Sequence, residues 1–171
     1  MRQVQAFEYC LRCGAKAQLK DNHLACTVCG FNFYLNPKAC TSVILRNRAG
    51  KYLFVKRAVE PKKGYWDFPG GFAEENEDFV ECSKREVKEE LGIEIGDLQY
   101  LATHKDHYDH QGVSYGTIGV SYLASFPEGA KLQPADDVSD YKFFSLDEIP
   151  TDMLAFPSMR EMFEAAAKFK A

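Results

Sequence analysis

Long apolar runs are missing from this sequence, and so are the signals of several other protein classes. No segment of the 171 residues approaches the roughly 18 consecutive apolar residues of a transmembrane helix. The N-terminal segment lacks the apolar stretch of a signal peptide, so we expect a cytoplasmic protein without membrane partners. Internal repeats and low-complexity tracts are also missing, which excludes fibrous and disordered classes. A net charge of −4 excludes nucleic-acid binding driven by overall basic charge.

Cysteine is present but unevenly placed, because four of the six cysteines form two C-x-x-C pairs near the N-terminus. Each pair is followed by glycine, which allows the tight turn that directs two thiolates to one point. Four thiolates suit a tetrahedral zinc ion in a closed, structural site, and a redox-active dithiol is the less favoured alternative. The sequence thus predicts a zinc ribbon over residues 1–36 and a second domain over residues 37–171. The predicted zinc ligands are Cys10, Cys13, Cys26 and Cys29.

The second domain mixes segments typical of strands with segments typical of helices. One helix is predicted over Glu77–Leu91, with Asn76 as its cap and Gly92 at its end, and another over Ser158–Lys168. The terminal helix is interpreted as packing on a sheet, with a dimer surface as the alternative. Together the elements indicate an α/β layered fold. The predicted strands cover residues 39–46, 52–57, 64–71, 98–104, 113–126 and 141–144.

The longer helix carries the candidate chemistry. A helix turns by about 100° per residue, which brings Glu86, Glu89 and Glu90 to one side. Three carboxylates on one narrow face repel each other, and a hard divalent cation with oxygen ligands relieves that repulsion. A solvated acidic face is the alternative, but Gly70 and Gly71 lie just upstream and leave a bare backbone with room for phosphates. The core-facing stripe of this helix is predicted to contain Val80, Val87 and Leu91.

Nine residues in and around this helix match a known pattern at every defined position. The match reads G-x5-E-x7-R-E-U-x-E-E-x-G-U, where U is a bulky aliphatic residue, and runs from Gly71 to Ile93. This segment resembles the Nudix box. The two C-x-x-C pairs and the run from Tyr34 to Lys38 resemble the zinc-ribbon branch of the Nudix hydrolases, and the likeness extends from about Cys10 to Phe163.

The resemblance implies the Nudix fold, an α/β/α sandwich with a mixed sheet. It also implies hydrolysis of a nucleoside diphosphate linked to another group, with Mg²⁺ or Mn²⁺ as cofactor. Arg85 resembles the family arginine that pairs with a box glutamate, and a generic helix salt bridge is the alternative. The implied catalytic residues are Glu89, Glu86, Glu90 and Arg85; the implied metal ligands are Glu86, Glu89, Glu90 and the Gly70 carbonyl, with Glu77 as an auxiliary.

A carboxylate must accept the proton of the attacking water in this reaction. Glu89 is the candidate within the box. Asp136 or Asp137 is the candidate from a distant loop, where an ordinary surface loop is the alternative interpretation. Both assignments stay open at this point.

A dinucleotide or nucleotide-sugar diphosphate is the predicted substrate class, with FAD or ADP-ribose favoured. NADH is less favoured because the signature S-Q-P-W-P-F-P-x-S, found after the box in one zinc-ribbon group, is absent. Capped RNA and nucleoside triphosphates stay open, and family resemblance is consistent with a homodimer. The rival function is a non-catalytic nucleotide sensor whose ribbon contacts nucleic acid or protein. It is disfavoured because this box retains all of its glutamates.

Three histidines recur at every third residue, at His104, His107 and His110. In a strand followed by a turn this spacing alternates between faces, so we interpret them as surface or substrate-rim residues rather than a second metal site. Cys40 and Cys82 are interpreted as small buried residues without a histidine partner for nucleophilic chemistry.

Overall fold

The structure of the chain, a computed structural model, describes residues 6–169. Its internal contacts divide the chain into two units. The first comprises the described residues up to Lys38 together with His107–Thr117, and the second comprises Ala39–Asp106 and the described residues from Ile118 onward. The domain division at residue 37 stays a prediction. None of the helices within residues 6–169 is long and apolar enough to cross a membrane.

The first unit contains a small antiparallel sheet of three strands in the order β1-β2-β3. The strands are β1 (Gln18–Leu19), β2 (His23–Ala25) and β3 (Asn32–Tyr34). Leu24 at the centre of β2 is buried and lies opposite Leu19 and Phe33. Strands of two or three residues bury little apolar surface, so this sheet needs a further source of folding energy.

The larger sheet has six strands. Five follow the order β6-β5-β4-β8-β7, and the sixth, β9, pairs with β5. Strand β5 is antiparallel to β4, β6 and β9. The bounds are β4 (Lys38–Arg46), β5 (Tyr52–Arg57), β6 (Trp66–Asp67), β7 (Gln99–His110), β8 (Val113–Ser125) and β9 (Val138–Phe144).

Two helices cover opposite faces of this sheet, α1 (Phe79–Leu91) and α2 (Ser158–Lys168), the second preceded by a 3-10 helix over Thr151–Met153. Successive strand residues point to opposite faces. Val43 and Leu45 therefore pack in the core beneath α1, whereas Ile44 packs in the core beneath α2. The predicted α/β/α sandwich is confirmed. The apolar residues of α2 lie in the second core, which supports the interpretation that it packs on the sheet.

Helix α1 begins two residues later than predicted. Its N-cap is Asp78, whose carboxylate accepts the N–H groups of Val80 and Glu81 at 2.8 and 2.9 Å. The Glu81 carboxylate accepts the N–H of Asp78 in return, which completes a capping box. The predicted cap, Asn76, instead lies before the helix with φ of 72°. Gly92 ends the helix with φ of 69°, as predicted.

Two other expectations about local structure are wrong. Val80 does not belong to the buried stripe, because it is 39% exposed, whereas Val87 and Leu91 are fully buried as predicted. Strand β7 extends six residues beyond the predicted end at His104. The two residues between β7 and β8, Gln111 and Gly112, have φ of 49° and 78°, as a tight two-residue hairpin turn requires.

Candidate active site

The four cysteines of the first unit converge as predicted. Their sulfur atoms all lie within 4.8 Å of one another, and all four are free thiols. The Sγ atoms of Cys10 and Cys29 are 3.7 Å apart, and those of Cys13 and Cys26 are 3.6 Å apart. A zinc tetrahedron with bonds of about 2.3 Å has edges of about 3.8 Å, so these thiols fit zinc.

Two glycine turns bring the thiols together. The N–H of Gly14 donates to the carbonyl of Cys10 at 2.9 Å, and that of Gly30 donates to Cys26 at 3.0 Å. Both glycines have φ near 70°, a conformation that other residues rarely adopt. The N–H of Cys29 lowers the pKa of the Cys26 thiol to about 6.

Helix α1 holds its three predicted ligands at different depths. Glu90 is 6% exposed. The side chains of Glu86 and Glu89 are 12% and 48% exposed, respectively. The sequence thus predicts the shared side of the helix, whereas the depth of each carboxylate depends on the packing of neighbouring segments.

Arg85 connects the acidic residues of the box. Its Nε and Nη2 donate to both oxygens of Glu77 at 3.0 and 2.6 Å. Its Nη1 donates to Glu86 at 2.8 Å and to Glu89 at 2.9 Å. Nη2 also donates to the carbonyl of Phe72 at 3.1 Å, so the guanidinium joins the helix to the preceding loop. This pairing lowers the pKa of Glu77 to about 2.

The glycine pair before the helix fits tightly against the acidic residues. The N–H of Gly70 donates to Glu90 at 3.0 Å. A Cβ on Gly71 would lie 2.5 Å from a carboxylate oxygen of Glu86, and one on Gly70 would overlap the carbonyl oxygen of Thr41. Glycine at position 71 therefore leaves the space that the Glu86 carboxylate occupies, and glycine at position 70 leaves room for the backbone of Thr41. A metal contact through the Gly70 carbonyl stays a prediction.

The electrostatics of this face favour a divalent cation. Burial raises the pKa of both Glu86 and Glu90, and the charges of Asp67 and Glu86 raise that of Glu90 further. A hard cation stabilises such carboxylates in their ionised form, and this all-oxygen donor set fits Mg²⁺ or Mn²⁺. Within residues 6–169, only the four cysteines bring three or more ligand atoms to a common point. The box carboxylates do not converge in this way, because Glu86 and Glu89 accept hydrogen bonds from Arg85 and Glu90 accepts one from Gly70.

The loop before β9 lies against the C-terminal end of α1. The N–H of Gln133 donates to the carbonyl of Leu91 at 2.9 Å, and that of Ala135 donates to Glu90 at 3.0 Å. The next two residues are the candidate loop acids. The charge of Asp136 raises the pKa of Glu86, and that of Asp137 raises the pKa of Glu90, so both acids lie near the box carboxylates.

One acidic residue near this face was missed by the sequence reasoning. Asp67, at the end of β6, has a side chain that is 14% exposed, and desolvation raises its pKa to about 6 despite an ion pair with Arg57 at 3.0 Å. Its charge also acts on Glu90. Asp67 lies just before the loop that contains the glycine pair, but nothing in the sequence distinguishes it from an exposed strand residue.

None of the three histidines belongs to a group of three or more converging ligand atoms within residues 6–169. His107 and His110 belong to the first unit and are exposed, whereas His104 belongs to the second. His104 lies beside Cys40, because a Cβ on Gly119 would be within 2.9 Å of both side chains. His104 is thus a neighbour of Cys40 that the sequence does not reveal. The interpretation of Cys40 as a buried residue is wrong, because its side chain is only partly buried, whereas Cys82 is fully buried as expected.

Comparison with known proteins agrees with this fold. A family model described as the NUDIX domain matches residues 36–166, which is more than half of the chain. The chain belongs to the Nudix family. A solved structure titled NUDIX hydrolase from Nitrosomonas europaea is similar at a TM-score of 0.75 and 25% identity, covering 96% of each chain.

Curated relatives are similar over about half of their own length. The NAD-capped RNA hydrolase NudC of Pseudomonas aeruginosa is 27% identical over 144 residues, which are 83% of this chain and 49% of the relative. The protein of the same name from Haemophilus influenzae is 30% identical over 150 residues, which are 85% of this chain and 54% of the relative.

Proposed function

We propose that this chain is a Mg²⁺- or Mn²⁺-dependent pyrophosphohydrolase that cleaves the diphosphate of a nucleoside diphosphate linked to another group. The observation that carries the proposal is the Arg85 network, which holds Glu77, Glu86 and Glu89 beside a loop of two glycines. Membership of the Nudix family supports the same reaction class. A solvated acidic face would not require an arginine that bonds four separate groups.

The side chains that would hold the cation are Glu86, Glu89 and Glu90, with the Gly70 carbonyl as a further ligand and Glu77 as an auxiliary. Such a cation would neutralise the diphosphate oxygens and would stabilise the leaving phosphate. Arg85 orients the carboxylates. Because Gly71 has no side chain, Glu86 can occupy its position, and space is left for a phosphate. Glu90 is additionally fixed by the Gly70 N–H.

Two positions could accept the proton of the attacking water. Glu89 is the more exposed box carboxylate, and its Arg85 partner holds it at a defined position. Asp136 and Asp137 approach the same carboxylates from the loop before β9. Replacing Glu89, Asp136 and Asp137 one at a time by the corresponding amide separates the two assignments. Loss of the base removes the acidic limb of the pH–rate profile, whereas loss of a metal ligand changes the metal concentration that activity requires.

FAD and ADP-ribose are the substrates that we propose first. The curated relatives are named for NAD-capped RNA, which supports a dinucleotide diphosphate as the general class. NADH stays less favoured because the S-Q-P-W-P-F-P-x-S signature is absent. A capped RNA is the one nucleic-acid substrate to be compared.

Product analysis tests this function. The zinc-loaded protein is incubated with Mg²⁺ or Mn²⁺ and a panel of FAD, ADP-ribose, NADH, NAD-capped RNA, a diadenosine polyphosphate and the deoxynucleoside triphosphates. We expect AMP together with FMN or ribose phosphate. Glu89→Gln and Glu90→Gln should each lower turnover by at least about 100-fold, since each removes a proposed metal or proton contact. Glu94→Gln is the matched control, because Glu94 is exposed and bonds only to Lys88 among the interactions described.

Two outcomes would contradict the proposal. Turnover that survives both box substitutions would mean that the metal site lies elsewhere. Tight binding of one nucleotide without any cleavage would favour the sensor function, in which the ribbon contacts nucleic acid or protein.

We also propose that Cys10, Cys13, Cys26 and Cys29 hold a structural zinc ion.

A further inference from the structure

A second group of reactive side chains lies on the larger sheet. Strand β8 separates β4 from β7. Its residue Gly119 lacks the side chain that would overlap His104 on β7 and Cys40 on β4. A Cβ on Gly119 would lie 2.6 Å from His104 Nε2 and 2.9 Å from Cys40 Sγ. Because both atoms lie within 2.9 Å of the same point, His104 Nε2 and Cys40 Sγ are less than twice that distance apart.

His104 has an unmet hydrogen-bonding requirement. Both of its ring nitrogens are buried, and neither has a hydrogen-bond partner within the described part of the chain. Buried polar atoms nearly always have a partner, so two unpaired nitrogens on one ring indicate a group that takes part in something other than packing. The neighbouring thiol is only partly buried, and its Sγ lies 3.7 Å from the carbonyl oxygen of Ile118.

The surroundings of His104 suit a proton acceptor. Burial lowers the pKa of His104, so the ring is neutral at neutral pH. Asp106 on β7 and Glu161 on α2 act in the opposite direction and would stabilise the imidazolium after it gains a proton. Because Gly119 has no side chain, rotation of the Cys40 side chain toward Nε2 meets no Cβ on the intervening strand.

We propose that Cys40 is a reactive thiol activated by His104 and a site of covalent modification by soft electrophiles, hydroperoxides among them. The Cys40 S–H proton passes to Nε2 of a ring protonated on Nδ1. The thiolate then attacks the terminal oxygen of a hydroperoxide. An S–O bond forms as the O–O bond breaks, the sulfur is oxidised to a sulfenic acid, and the departing oxygen takes the imidazolium proton to give an alcohol or water.

Modification of Cys40 would reach the glycine loop. Cys40 forms a β-bridge with Phe72, the residue directly after the glycine pair. The carbonyl of Phe72 accepts a hydrogen bond from Arg85. An adduct on Cys40 is therefore expected to lower turnover, a consequence that rests on the proposed function.

Alkylation by iodoacetamide tests the reactive thiol directly. The native, zinc-loaded protein is labelled between pH 6 and 9, and each cysteine is quantified by mass spectrometry. At pH 7 we expect Cys40 to react about tenfold faster than in His104→Phe, which keeps a ring of similar size without its nitrogens. Cys82 is the internal control, because it is fully buried and should stay unlabelled.

The pH dependence separates activation from a structural role. The wild-type rate should level off toward low pH, whereas the rate in His104→Phe should fall about tenfold per pH unit, as for an ordinary thiol. Identical profiles would overturn the proposal. If His104→Phe does not fold, the wild-type protein alone is measured. The proposal is also overturned if the labelling rate of Cys40 depends on pH in the native protein as it does in the unfolded chain.

A separate readout tests the effect on turnover. Loss of activity should follow the extent of Cys40 labelling and should be prevented by Cys40→Ser. Activity that persists when Cys40 is fully labelled would contradict the effect on the loop. A protein that turns over no substrate would contradict the proposed function, while the labelling rates would still decide whether Cys40 is activated.

Discussion

Gly71 illustrates how one residue type can be required by a neighbour rather than by its own backbone. Its φ lies outside the left-handed region, but a Cβ there would collide with the carboxylate of Glu86. Gly71→Ala should therefore displace Glu86 and lower turnover more than stability. Gly96→Ala is the matched control, because Gly96 has open space around its Cβ position. Equal activities of the two variants would show that Glu86 does not need its present position.

Glu77 gives the protein a pH-dependent contribution to stability. Its folded-state pKa, about 2, lies below the ordinary value of 4.5 because Arg85 stabilises the carboxylate. The contribution is therefore complete above about pH 4.5 and is lost as the pH falls toward 2. Urea unfolding of wild type and Glu77→Gln at several pH values checks this. The difference between their unfolding free energies should shrink with acidification; a constant difference would contradict the assignment.

Single residues also mark the limit of what the sequence predicts. The spacing of Glu86, Glu89 and Glu90 reveals their shared side of the helix, because helical geometry depends on local sequence alone. The proximity of Cys40 and His104 depends on the order of three strands, and one sequence contains no signal for that order. The glycine between them resembles any other glycine in a strand.

At the scale of elements, α1 depends on its capping box. Asp78→Ala should cost about 1 kcal/mol of stability, because it leaves the N–H groups of Val80 and Glu81 without their acceptor. Thermal unfolding measures this, with Asp152→Ala as a control, since Asp152 lies in an exposed 3-10 helix. An equal loss in both variants would mean that the cap does not stabilise α1.

The sequence contained the signal for this cap. Asp78 is followed three residues later by Glu81, the pattern of a capping box, whereas Asn76 is followed by Phe79. The length of β7 had a similar signal, since Gln111 and Gly112 suit a two-residue hairpin turn. By contrast, the contact of the loop before β9 with the end of α1 is tertiary, and no local pattern predicts it.

At the scale of the whole molecule, the two units differ in what stabilises them. The second unit has two apolar cores, one on each face of the larger sheet. The sheet of the first unit buries little, so metal binding should supply much of its folding energy. We expect a zinc chelator to remove amide protection from β1–β3 while β4 and β5 stay protected, as measured by hydrogen exchange.

The control for this experiment is Cys82→Ser, which alters a buried cysteine outside the four-thiol group and should keep its zinc. Protection of β1–β3 that survives complete removal of zinc would contradict a structural role for the metal.

The homodimer stays a prediction, and sedimentation of the zinc-loaded protein would test it.

The alternation of Val43, Ile44 and Leu45 between the two cores has a consequence for how this protein can change in evolution. Insertion or deletion of one residue in the middle of β4 would turn every later side chain of the strand to the opposite face. Both cores would then lose their shape at once, so no compensating substitution in a single core could rescue the variant. Length variation should therefore be confined to turns such as residues 47–51, and lineages of this fold should differ there and not within the strand.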